Sequence, residues 1–168
     1  MKVMTMATTI PDADDVLGSM TAAVHEHHSD LWAELTLKEN ELLRVVAVAG
    51  DFTAARDDFV ALLRGEVAEH LEAEQTVLYG AVRGQGSHAL VQALDLDHQA
   101  LIALIDHLEG AESGFQAAMA ARSLVLLFAL RMEKEESVLL PMLRQGGVDV
   151  DALLAGKSEI TGHHGAQR

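Results

Sequence analysis

Apolar residues recur at steps of three and four along most of the chain, in four long stretches broken by glycine. That period places them on one face of a helix, and strand-like alternation does not fit it. The first stretch runs through Leu17, Val24, Leu31, Leu35, Leu42 and Val46 to about Gly50. The second carries Phe52, Phe59, Leu62, Leu63, Val67, Leu71 and Leu78 and ends among Gly80, Gly84 and Gly86. The third carries Leu90, Leu94, Leu101, Ile105 and Leu108 and stops at Gly110. The fourth runs from about Phe115 to Leu143 and closes at Gly146-Gly147. Asp51, Ser87 and Ser113 (or Glu112) stand where N-caps are expected. Asp12, Asp14 and Asp15, after Pro11, suit the positive end of a helix dipole. Four long helices on short loops predict an all-α fold, an antiparallel up-down four-helix bundle over residues 12–155. Residues 1–11 read as a flexible lead, with a bend in the first helix near Thr36–Asn40. A short amphipathic piece, Val150 to Leu154, is expected to pack back on the bundle. Residues 156–168 read as a tail without structure.

Charge and composition narrow the function. The formal net charge is −14, which repels phosphate backbones and anionic membranes, so neither nucleic acid nor membrane is an expected partner. The chain has no cysteine, which excludes disulfides, thiolate metal sites and thiol nucleophiles. The longest apolar run, Leu124 to Leu130, is too short to span a bilayer, and a cytoplasmic protein is the expectation. No G-x-S-x-G motif occurs, and no glycine-rich phosphate loop follows a strand.

Each helix also carries polar residues on its apolar stripe. His28 lies on the Val24–Leu31–Leu35 face, with His25 one turn earlier and His27 pointing elsewhere. His70 and Glu74 form an H-x-x-x-E pair on the Leu63–Val67–Leu78 stripe. His98 lies with Leu94, Leu101 and Ile105, and Asp95 lies near it. Arg131 and Glu135 lie with Leu127 and Leu139. Glu66, Glu133 and Glu136 read as solvated, and His107 is out of phase with His98 and should face away. A buried carboxylate is costly unless paired, hydrogen-bonded or metal-bound. Imidazole and carboxylate together suit iron, zinc or manganese.

At these residues the chain resembles the hemerythrin-like HHE cation-binding family, over roughly residues 12 to 145. HLEAEQTVLY (His70 to Tyr79) is similar to its first H-x-x-x-E element, and RMEKEESVLLP (Arg131 to Pro141) to its second. HHSDLWAEL and DLDHQALIALI match its single-histidine helices. The resemblance implies His28, His70, Glu74, His98 and Glu135 as metal ligands, with Glu74 and Glu135 bridging two metals. It implies non-haem iron, two ions or one, and a dioxygen, peroxide or nitric oxide ligand, or a sensor of iron or oxygen. Any catalysis would be peroxide- or oxygen-linked oxidoreductase chemistry. Tyr79, close to the end of the ligand turn, reads as a packing or surface residue, with support of a metal ligand as the alternative. Arg131 stands where the family has its sixth ligand, a histidine, and arginine has no lone pair to give a metal. Three arrangements are open. Two metals bind with Arg131 turned outward and water or His25 completing the shell. One metal binds. Or none binds, Arg131 pairs with Glu74 and Glu135, and the chain is a metal-free regulatory or partner-binding module.

Overall fold

The computed structural model describes residues 19–162, and every regular element among them is helical. Helix α1 is Ser19–Ala47. Helix α2 is one continuous rod made of Thr53–Leu62, a π-helical turn Leu63–Val67, and Ala68–Gly84. Helix α3 is His88–Glu109. Helix α4 joins Gly114–Lys134, a second π turn Glu135–Leu139, and Leu140–Gln145. Two short pieces complete the described chain, α5 (Val150–Leu154) and α6 (Ser158–Thr161).

The long helices pack as neighbours in a ring, α1 on α2, α2 on α3, α3 on α4 and α4 on α1. This is the all-helical bundle that the apolar period predicts. Helix α1 is unbroken across Thr36–Asn40, so the expected bend is not a break in the helix. The N-terminal lead and Asp12, Asp14 and Asp15 lie outside the described residues.

The caps match the sequence in part. The Ser113 side chain accepts from the Gln116 N–H and starts α4. Asp51 accepts from the Thr53 N–H just before α2. Ser87 occupies the N-cap position of α3 but its hydroxyl makes no capping bond. Gly147, at φ +80°, makes the turn out of α4, a conformation that a Cβ penalises.

The C-terminal expectation needs correction. Residues 156–162 are not a structureless tail, because α6 docks against α1 and α2 with Ile160 and Thr161 buried. Val150 and Leu154 of α5 are buried as expected.

By length and apolarity alone, Gly114–Gln145 would suffice to cross a membrane. Its apolar residues serve the bundle instead: Ala117, Ala121, Val125 and Phe128 are buried in the core, and the same helix carries two buried charged residues, Arg131 and Glu135.

The core falls into two aliphatic clusters. One gathers Leu31, Leu35, Leu71, Leu101 and Met132, and the other Val24, Leu78, Leu94 and Leu139. On each helix the chain passes between the clusters at a polar residue: His28 between Val24 and Leu31, Glu74 between Leu71 and Leu78, His98 between Leu94 and Leu101, and Glu135 between Met132 and Leu139. The fold thus brings four polar positions to one level of the bundle.

Candidate metal centre

His28, His70, Glu74 and Glu135 are all buried, and each offers a donor atom within 4.8 Å of the others. Both π turns lie beside this layer. One ends three residues before His70, and the other begins at Glu135. A π turn adds a residue to the helical repeat and rotates the helix beyond it, and such turns often adjoin functional sites. Glu66 lies inside the first one and is exposed, although it precedes His70 by the same step of four that separates His70 from Glu74.

The outer nitrogens of both histidines are tied down. His70 Nδ1 lies 2.8 Å from the Glu159 carbonyl oxygen, and His28 Nδ1 lies 2.7 Å from Glu136 Oε1. Carbonyl and carboxylate oxygens only accept, so each Nδ1 carries hydrogen and each Nε2 is turned inward. There His70 Nε2 meets Glu74 Oε1 at 2.8 Å, and His28 Nε2 meets the same oxygen at 3.2 Å and Glu135 Oε2 at 3.8 Å. No N–H or O–H reaches Glu135 Oε2, although it is buried. Lone pairs therefore converge on one point, and each needs a proton or a cation.

Protons supply part of that need. Burial alone would lower the His28 pKa, but Glu74, Glu135 and Glu136 outweigh it and push it up to about 9. Burial, then the charge of Glu74, pushes Glu135 up to about 8. Burial alone would raise Glu74, yet His70, His28 and Arg131 hold it well below the ordinary carboxylate range. A metal ion binding here would displace protons.

The donor set suits a metal. Donors about 2.1 Å from a shared ion lie roughly 3–4 Å apart, and the inward contacts, 2.8 to 3.8 Å, fall close to that range. Two imidazoles and two carboxylates match iron, zinc or manganese.

Arg131 is buried, 1% exposed, and points inward, so the arrangement that turns it outward is not the one observed. Its Nη2 donates to Glu74 Oε2 at 3.1 Å and its Nε to Glu135 Oε1 at 3.0 Å. Its Nη1 lies 3.4 Å from His98 Nδ1. His98, expected as a ligand, faces this guanidinium and is absent from the four-residue donor group. Burial and then the Arg131 charge lower its pKa. Asp95 is engaged by Gln75 and Arg83.

His25, the reserve donor, is a surface residue that bonds Glu136 Oε2 at 2.7 Å. His107 is exposed, as its phase predicts.

Four further groups surround the layer, and of these the sequence pointed only to Tyr79, as the lesser of two readings. Glu136, read as solvated, bridges His25 and His28. Tyr79, read as packing or surface, is fully buried and its hydroxyl donates to Glu135 Oε1 at 2.8 Å. His27, read as pointing elsewhere, is buried edge-on against His70, with its Nε2 3.1 Å from the Glu159 carbonyl oxygen. That carbonyl belongs to α6, and Gly162 closes α6 at φ +65°, where a Cβ would come 2.9 Å from His27 Nδ1. Tyr79 sits beside a strong stripe residue, Leu78, and Glu136 beside Glu135, so a one-residue widening of each stripe would have found both. A backbone carbonyl distant in sequence gives no such signal.

A family model, the hemerythrin HHE cation binding domain, matches residues 19–143. No curated protein and no solved structure matches the chain.

Proposed function

Because this chain belongs to the hemerythrin HHE cation-binding domain family, we propose that its buried histidine–carboxylate layer holds non-haem iron and serves to bind, sense or react with dioxygen, peroxide or nitric oxide. The observation that carries this reading is the facing of His70 Nε2 and Glu74 Oε1 at 2.8 Å, while His70 Nδ1 is committed to the Glu159 carbonyl. Two acceptors held that close need positive charge between them.

His28 and His70 would serve as nitrogen ligands through Nε2, and Glu74 and Glu135 as carboxylate ligands. Iron held there would supply redox chemistry and Lewis acidity toward small oxygen species. A surface hollow of about 200 Å³, lined by His28, Trp32, Met132 and Glu136 among others, lies outside His28. The aliphatic clusters above and below keep bulk water from the layer. The same reading has the chain working in the cytoplasm.

A metal-free module is the rival, favoured by the pairing of Arg131 with both carboxylates. Elemental analysis separates the two, on protein expressed with iron and purified without chelator. The expected result is iron bound stoichiometrically, a visible absorption that responds to peroxide or nitric oxide, and loss of iron in Glu74→Gln. Protein free of iron, zinc and manganese, with thermal stability indifferent to chelator, would favour the rival.

A further inference from the structure

The two carboxylates that would bridge a pair of metals divide their oxygens between two sides. On one side, Glu74 Oε1 and Glu135 Oε2 face His28 Nε2 at 3.2 and 3.8 Å, with His70 Nε2 2.8 Å from Glu74 Oε1. On the other, Glu74 Oε2 and Glu135 Oε1 accept from the Arg131 guanidinium at 3.1 and 3.0 Å. The only histidine on that second side, among the described residues that the layer gathers, is His98, and its Nδ1 lies against Arg131 Nη1.

The geometry points to a single-ion centre in which Arg131 fills the place and supplies the charge of a second metal. This rests on the function proposed above and specifies its metal count. The guanidinium is planar, permanently charged and bidentate, so it spans two carboxylates as a bridged cation would. Its position is locked, since it is 1% exposed and lies over the Tyr79 ring at 5.4 Å. A second divalent ion on the same side would meet a fixed positive charge in a low-dielectric interior and would find both carboxylate oxygens already engaged. The first side keeps two nitrogens and two oxygens, a complete set for one ion with positions left for a small ligand.

The test is anaerobic titration of ferrous iron into the metal-free protein, then elemental analysis and electron paramagnetic resonance of the oxidised form. We expect saturation at one iron per chain and an uncoupled high-spin ferric signal that accounts for all the iron. Saturation at two, with a spin-coupled and silent ferric pair, would overturn the single-ion centre and leave the proposed function standing. No binding at all would remove both. The Arg131→His variant, folded by circular dichroism, should double the count to two and lose the uncoupled signal. A folded variant that stays at one would show that Arg131 does not hold the second place. The wild-type count and spin state decide the matter even where that variant fails to fold.

Discussion

Glu136 sits at the outer edge of the layer, with 24% of its side chain exposed, and holds His25 with one oxygen and His28 with the other. Its work is to keep hydrogen on His28 Nδ1 and so turn Nε2 inward. Groups that orient a ligand in this way typically contribute 10–100-fold to metal affinity. Glu136→Gln preserves size and removes the charge, and is expected to weaken iron binding by roughly 10–100-fold, read by competition with a chelating dye. An unchanged affinity would reduce Glu136 to a surface residue. Its neighbour Glu135 was legible in the sequence because it falls on the apolar stripe. Glu136 was not, since a position one residue along a helix normally faces away by about 100°. Arg131 was legible as a departure from the family pattern, but its direction was not. Side-chain length allowed it to reach out to water or in to Glu74, and the buried carboxylates drew it inward.

At the scale of elements, α6 does more than its four residues suggest. It lies beyond residues 19–143, the span of the family match, yet its Glu159 carbonyl accepts from His70 and His27 together. Ile160, fully buried, anchors it. Ile160→Ala is expected to cost about 2–5 kcal/mol if the turn stays docked, measured by urea denaturation. Where the turn instead undocks, iron binding should also weaken about tenfold, because His70 then loses the Glu159 carbonyl that fixes its tautomer. Loss of stability with unchanged affinity would confine α6 to packing. The period that marked the long helices could not mark α6, because a helix this short buries its apolar residue only through tertiary contact. The π turns were equally hidden, since a stripe at steps of three and four reads the same with one residue added.

For the whole molecule, the polar layer lies between two aliphatic clusters that are each complete without it. Arg131 already offsets the charge of Glu74 and Glu135. The bundle should therefore stand without metal. Chelation is expected to leave the far-ultraviolet circular dichroism unchanged. At metal concentrations near 100 times Kd the lost stabilisation is about 2.7 kcal/mol, or roughly 5–10 °C in Tm at about 2–4 °C per kcal/mol for a chain of this size. Collapse of the helical signal on chelation would mean that the metal, and not the clusters, holds the bundle together.

The sequence by itself determined the helices, the class of bundle and the polar residues on their inward faces, because a 3.6-residue repeat is written locally and each stripe declares its own side. Only the tertiary structure decided which of those residues meet. His98 and Arg131 both fall on the apolar stripes of their helices, yet one lies against the other, and the arginine takes both carboxylates. Tyr79, Glu136 and the Glu159 carbonyl joined the layer for the same reason. Contact across a bundle depends on helix rotation, side-chain reach and competition for buried charge, and these are settled only when all four helices pack at once.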